Sequence, residues 1–280
     1  MQPSNIKTPK QALNPAFLKQ RPERDEIELF KKEFISLLNN INEKESEEFH
    51  KNLVSQFLNA VYYKDNHFIN TKGYADLVIH NGKDAKSPVA VLIEAKSPTN
   101  RTEMVSEKNL NVKSFQELVL YYLRERKTGK NFELRYLIIT NVYEWFIFDA
   151  QEFEKLFYQD KKLLKKFEEF EAGKLSGTST DFFYKEIATP AIEEIKQQIV
   201  YTHFDIRKYD KILRDDNKDN DKGLIALYKF LSPIHLLKLS FANDYNQLNK
   251  EFYTELLHIM GLEEVKDKSQ KYIVRKYKGN

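Results

Sequence analysis

The sequence predicts a mixed α/β (α+β) fold, a small mixed sheet flanked by helices and followed by a mainly α-helical region. Three observations carry that reading. Gly and Pro number only eight each in 280 residues, roughly half their usual share, which favours long regular elements with few tight turns. Short β-branched runs cluster between residues 74 and 149, and apolar residues on either side recur at helical spacing. With 41% hydrophobic and 13% aromatic residues, the chain can build a core.

The first residues are polar and contain Pro3, Pro9 and Pro15, so residues 1–22 read as an extended N-terminal arm. Ile27, Phe30, Phe34, Leu37 and Leu38 then define a helix over 26–39, and Phe49, Leu53, Val54, Phe57 and Val61 the stripe of a second. Residues 74–80 and 89–94 form two short apolar runs separated by a polar loop that opens with Asn81-Gly82, which predicts antiparallel neighbours. A helix from about Val112 to Arg126 follows, then strands over 134–140 and 143–149 around Asn141. The order α-β-β-α-β-β over 43–150 sets the limits of one domain at 23–150, leaving 151–280 as a helical connector.

Beyond Gln151 the sequence is charged and helical. Lys161, Lys162, Lys165 and Lys166 fall within a turn and a half, the pattern of a solvated helix face. Asp181-Phe182-Phe183-Tyr184 opens a helix to about Ile199, and residues 214–222 are polar throughout and read as a loop. That loop is not a calcium site, because Asn220 and Ala226 stand where the calcium loop needs Gly and Glu. Helices from Lys222 to about Met260 and a strand at 272–274 close the chain.

Composition excludes several chemistries. Without cysteine there is no disulfide, no thiolate nucleophile and no Cys-ligated metal. No apolar stretch approaches the ~18–20 residues of a membrane span, and the start lacks a signal-peptide apolar region, so no membrane association and an intracellular location are expected. Forty-five Lys+Arg against 42 Asp+Glu, a net +3, do not name a polyanionic partner.

The informative constellation is Asp76 on the first strand with Glu94-Ala95-Lys96 ending the second. Strand side chains alternate, so Glu94 and Lys96 point to one face, and a hairpin partner can bring Asp76 beside them. Glu-x-Lys recurs at Glu125/Lys127, Glu194/Lys196 and Glu264/Lys266, but there without a preceding apolar run such as Val89–Ile93. An ordinary edge hairpin with a surface ion pair, worth ~0–1 kcal/mol, is the bland alternative. Two carboxylates are hard oxygen ligands suited to Mg²⁺, with Mn²⁺ as substitute, and the Ala95 carbonyl could add a third. Lys96 beside them could orient or deprotonate a water attacking a phosphodiester. On the second helix Glu47 shares the face of His50, Val54, Phe57 and Val61, whereas Glu48 continues into Asn52, Ser55 and Asn59 on the polar side.

These residues resemble the PD-(D/E)xK nuclease superfamily, with Ala75 in place of the usual Pro. The likeness extends through Ser46-Glu47-Glu48, Gly73-Tyr74-Ala75-Asp76, Ile93-Glu94-Ala95-Lys96-Ser97, Asp181-Phe182-Phe183-Tyr184, Thr202-His203-Phe204-Asp205, Leu231-Ser232-Pro233 and Asn249-Lys250-Glu251-Phe252-Tyr253. In these runs the chain is similar to the N-terminal nuclease and helical connector region of bifunctional type IIG restriction-modification enzymes. The resemblance implies a restriction-endonuclease-like core, a bacterial cytoplasmic setting and Mg²⁺-dependent hydrolysis of double-stranded DNA, with Asp76, Glu94, Lys96 and Gln116 catalytic. It also implies a metal held by Asp76, Glu94, Ala95 and Glu47, and transient dimerisation for double-strand cleavage. Gln116 corresponds to the family's Gln-x-x-x-Tyr imperfectly, since position 120 is Leu and the tyrosines are Tyr121 and Tyr122. Neither an Asn-Pro-Pro-Tyr tetrapeptide nor a methyltransferase Gly-rich loop occurs, so no S-adenosylmethionine site is expected, and the chain reads as a truncation lacking the methyltransferase and specificity parts. The alternative is a catalytically silent DNA-docking or interaction module of such an assembly.

Overall fold

The apolar runs that predicted the hairpin are buried along almost their whole length, which requires cover on both faces of the sheet. The computed structural model describes residues 5–241, 250–267 and 270–275. Its residues divide into two compact units, Met1–Leu239 and Ser240–Asn280.

In the first unit, β1 (Ile6–Lys7) is followed by the short helices α1 (Pro9–Ala12) and α2 (Pro15–Lys19), then by the long α3 (Arg24–Asn40) and α4 (Glu47–Leu58). Strands β2 (Ile69–Lys72), β3 (Ala75–His80) and β4 (Val89–Ala95) precede α5 (Lys113–Leu123), and β5 (Tyr136–Thr140) and β6 (Glu144–Asp149) follow it. Next come α6 (Ala150–Phe153), α7 (Lys161–Glu171), α8 (Thr180–Phe182) and α9 (Thr189–Ile195), then β7 (Tyr201–Asp205), α10 (Asp210–Leu213), α11 (Lys222–Leu231) and α12 (Pro233–Leu236). The strands form one seven-stranded sheet of order β1-β7-β6-β5-β4-β3-β2. β4 and β5 run parallel, as do β1 and β7, and the other neighbours are antiparallel.

Strand parity separates the two faces. Val78, Leu92, Leu137, Ile139, Phe146 and Phe148 join one core cluster with Phe115, Leu118 and Tyr122 of α5. On the opposite parity, Trp145 stacks on Phe204 at 5.8 Å, and Phe204 meets Phe230 of α11 edge-on. Phe30 and Phe34 of α3 stack at 5.1 Å, and Phe34 lies 4.9 Å from Phe57 of α4. The helix stripes read from the sequence thus pack on one another as amphipathic faces must. Ser46 caps α4, its hydroxyl accepting the Phe49 N–H at 3.2 Å.

The hairpin register follows from parity as well: Leu77 pairs with Ile93 and Val78 with Leu92. Two elements differ from the sequence expectation. The region read as an extended arm carries β1, α1 and α2, because Ile6 and Lys7 pair in parallel with Tyr201 and Thr202. Residues 201–205, read only as part of a connector, form β7 between β1 and β6. The sheet therefore extends past residue 150, and the division between units falls at Leu239/Ser240 rather than at 150/151.

The polar segment over 214–222 is also more than a loop. Asp221 is buried and meets Lys31 Nζ at 2.7 Å and Arg24 Nη1 at 2.5 Å, while Lys31 Nζ also donates to the Asp215 carbonyl at 2.8 Å. The segment is thereby fastened to α3. The second unit contains α13 (Lys250–Ile259) and a hairpin of β8 (Leu262–Asp267) with β9 (Gln270–Arg275), in which Val265 faces Tyr272. The strand expected at 272–274 lies within β9, whereas Asn249 and Lys278-Gly279-Asn280 lie outside the described residues. Among the described residues no helix is long and apolar enough to cross a membrane.

Burial works against the Asp221 charge, but Lys31 and Arg24 outweigh it and hold its carboxyl below the ordinary value of 3.8. Replacing Asp221 by Asn leaves Lys31 buried without its counter-ion and should lower stability by about 3 kcal/mol at pH 7. A depressed carboxyl stabilises above its unfolded pKa and loses that contribution as pH falls through the folded one. Urea denaturation of wild type and D221N should therefore differ most above pH 5 and converge toward pH 3; equal stability at pH 7 would contradict the role given to Asp221.

Candidate active site

Glu94 and Lys96 lie on the same strand parity as Leu92, and Asp76 on that of Val78, so all three project toward the side covered by α5. Lys96 Nζ stands 2.6 Å from Glu94 Oε1 and 2.8 Å from Glu117 Oε2 of α5, with Glu47 Oε1 at 3.8 Å. Lys96 is 4% exposed and Glu94 2%, so these charges meet out of water, where neither would be tolerated alone.

Asp76 is held differently. Its Oδ2 accepts the Ala95 N–H at 2.9 Å, and Lys51 Nζ of α4 lies 4.0 Å from its Oδ1. In an extended strand a residue's N–H and C=O point toward the same neighbour, so the Ala95 carbonyl leaves on the Asp76 side. Two adjacent carboxylates at the start of α4 diverge. Glu47 accepts the Ser97 N–H at 3.2 Å and faces Lys96, whereas Glu48 pairs with Lys51.

These environments set the protonation states. Burial pushes the Glu94 carboxyl well above the ordinary range, the neighbouring Glu117 adds to the shift, and Lys96 opposes it. Asp76 is raised by burial, with the Ala95 N–H, Lys96 and Lys51 pulling it back. For Lys96, burial disfavours the ammonium, but Glu94 and Glu117 overcome it and its pKa is raised. Lys96 is consequently a fixed cation near neutral pH, suited to orienting and neutralising charge and unsuited to taking a proton. Burial, with the nearby Glu94 and Glu117 adding to it, pushes the pKa of Tyr121, one turn beyond Glu117, well up, so its phenol stays protonated.

A divalent cation fits this donor chemistry. Asp76 and Glu94 supply hard oxygens, and the second oxygen of Glu94, Oε2, is buried without a hydrogen-bond donor. Among the described residues no three His, Cys, Asp or Glu side chains are gathered at metal-holding spacing.

A family model described as a domain of unknown function (DUF7149) matches residues 7–244. The chain belongs to this family. A second, described as a domain of unknown function (DUF7814), matches residues 245–280. No curated protein and no solved structure matches the chain. The DUF7149 match ends within a few residues of the boundary between the two compact units, so the candidate site lies wholly in the DUF7149 region.

Within that region the structure brings Asp76, Glu94, Ala95, Lys96 and Glu47 together and leaves Gln116 apart. The Gln116 amide donates to Asn111 Oδ1 at 3.1 Å and Thr189 Oγ1 at 2.9 Å, joining α5 to α9. Its neighbour Glu117 takes the place beside Lys96. Glu117 and Tyr121 stand four residues apart, so one helix face carries both. The spacing is visible in the sequence but selects Glu117 over Gln116 only once the strand it faces is known.

A carboxyl whose pKa is raised by folding stabilises the fold below its unfolded pKa and loses that contribution as pH rises through the folded value. For Glu94 the loss starts above its ordinary value of 4.5. Glu94→Gln, which cannot ionise, should flatten the fall in stability between pH 5 and pH 8, read by thermal melting across that range. Gln116→Ala should leave the slope unchanged and cost about 1 kcal/mol through its lost hydrogen bonds. An unaltered slope in E94Q would overturn the assignment of a strained buried carboxyl.

Proposed function

We propose that the DUF7149 region is a metal-dependent DNA endonuclease domain of the type II restriction class, resembling the PD-(D/E)xK superfamily in the core of its fold. The observation that carries the reading is the buried ammonium of Lys96 set between Glu94 and Glu117 at the end of a strand whose hairpin partner presents Asp76. A purely structural hairpin would be more stable with apolar residues at these positions.

In this reading Asp76 and Glu94 would hold Mg²⁺, with the Ala95 carbonyl on the same edge. When bound, the ion supplies Lewis-acid polarisation of the phosphodiester and charge stabilisation at the leaving oxygen. Lys96, kept protonated by Glu94 and Glu117, places a cation at the reacting phosphoryl group and offsets the charge that grows there. Ala95 fixes the Asp76 carboxylate through its N–H. Glu47 secures the strand end through Ser97 and completes the charge balance around Lys96.

A second reading, a silent DNA-docking module, draws on a specific observation: no three-carboxylate group at metal-holding spacing occurs among the described residues. Incubation of wild type, Asp76→Ala and Glu94→Ala with supercoiled duplex DNA and Mg²⁺ or Mn²⁺ separates the two. The nuclease reading expects nicking by wild type, reduced on the order of a hundredfold or more in each variant. Equal nicking by all three would refute it. Metal-independent retention of DNA without nicking would establish the docking reading instead.

A further inference from the structure

A cleft of about 700 Å³ opens where β4 ends. One wall continues the strand through Pro98, Thr99 and Arg101, and the other is the β5–β6 turn with Asn141 and Tyr143. The walls are joined at the candidate site itself, because the Lys96 N–H donates to the Thr140 carbonyl at 2.8 Å. Met104 and Val105 add apolar surface. A volume of this size suits a small ligand or one unit of a polymer.

The turn is built at a cost. Val142 has φ 73°, a left-handed conformation that a β-branched residue rarely adopts and that costs of order 1–3 kcal/mol. Three bonds hold it there. Val142 N–H donates to Thr140 Oγ1 at 3.0 Å, Trp145 Nε1 donates to the Val142 carbonyl at 2.9 Å, and Glu144 N–H donates to Asn141 Oδ1 at 2.7 Å. The result is a fixed Tyr143 on the cleft wall, with the Arg207 guanidinium 4.9 Å from its ring centre.

The charges in the cleft are unequal in availability. Arg207 is engaged by Asp205 and Glu144, and Glu144 also meets His203 at 3.2 Å. Arg101, by contrast, is exposed and its guanidinium has no hydrogen-bond or ion-pair partner among the described residues. Glu43 and Glu144 balance the two arginines by count, so the cleft does not suit a run of phosphates or an acidic peptide. One free guanidinium, one anchored aromatic ring and the amide of Asn141 suit a single nucleotide, with its one phosphate, its π-face and its hydrogen-bonding edge.

Resting on the nuclease reading, we propose that this cleft takes the nucleotide adjoining the scissile phosphate, with Tyr143 stacking on its base and Arg101 bonding its phosphate. The single tryptophan of the chain, Trp145, is bonded to the Val142 carbonyl and reports on the turn. The test is binding of a fluorescein-labelled mixed-sequence deoxyoligonucleotide to the full chain in EDTA, followed by anisotropy and by Trp145 emission. Wild type should bind and change Trp145 emission. Tyr143→Leu and Arg101→Gln should each bind about tenfold or more weakly, while Tyr143→Phe binds as wild type, and deoxynucleoside 5′-monophosphates should compete better than inorganic phosphate or polyglutamate. Wild-type binding by both Y143L and R101Q, or equal competition by polyglutamate, overturns the proposal. Unaltered binding by those variants alongside Asp76-dependent cleavage would remove the cleft and leave the nuclease reading standing. Weakened binding by them with no cleavage by wild type would do the reverse.

Discussion

The ammonium of Lys96, out of water between Glu94 and Glu117, is the interaction around which the first unit is organised. A charge buried this deeply is stable only with counter-ions placed within hydrogen-bond reach, and those come from two elements distant in sequence, the end of β4 and the middle of α5. Helix α5 must therefore lie across β4 in one register. The aromatic contacts of Phe115 with Phe148 and Phe153 give that register an apolar footing. The surrounding carboxylates then take graded roles: Asp76 fixed by a backbone N–H, Glu47 facing the strand end, and Glu94 strained by burial. Such a set of divergent carboxylate environments is costly as scaffolding and useful as chemistry.

Strand alternation explains how little machinery is needed to assemble it. Once Val78 and Leu92 are drawn into the core beneath α5, Asp76, Glu94 and Lys96 are carried to the same side without further instruction. The parallel pairing of β4 with β5 extends the effect, because the bond from Lys96 to Thr140 ties the site to the turn holding Val142 and Tyr143. Site and cleft thus share the C-terminal end of one hydrogen-bonded strand pair, and strain at Val142 is tolerated because its N–H and C=O are both engaged.

Much of this was legible before any coordinates. The hairpin over 74–94, the helix over 112–126 and the α+β class all followed from period-two and period-3.6 patterns in long apolar runs. What escaped had weaker local signals. β1 is two residues long and exists only because β7 offers an edge to pair with, so no local pattern announces it. β7 follows helical sequence and alternates buried and half-exposed residues over only its last four positions, too short a run to override its context. Asp221 looked solvated because its partners, Lys31 and Arg24, lie nearly two hundred residues away. Glu117 was hidden by the adjacent Gln116, since helical spacing to Tyr121 separates the two only when the facing strand is known.

Above all, the Asp76 and Glu94 carboxyls, both raised by burial, should hold a cation between them in the proposed function. Anomalous diffraction from a crystal soaked in Mn²⁺ tests this directly. The account predicts a single dominant peak about 2.0–2.3 Å from oxygens of Asp76 and Glu94, with the Ala95 carbonyl in the same shell and Lys96 still paired to Glu117. No peak at these residues, with Glu94 still seated on Lys96 at saturating Mn²⁺, would contradict it.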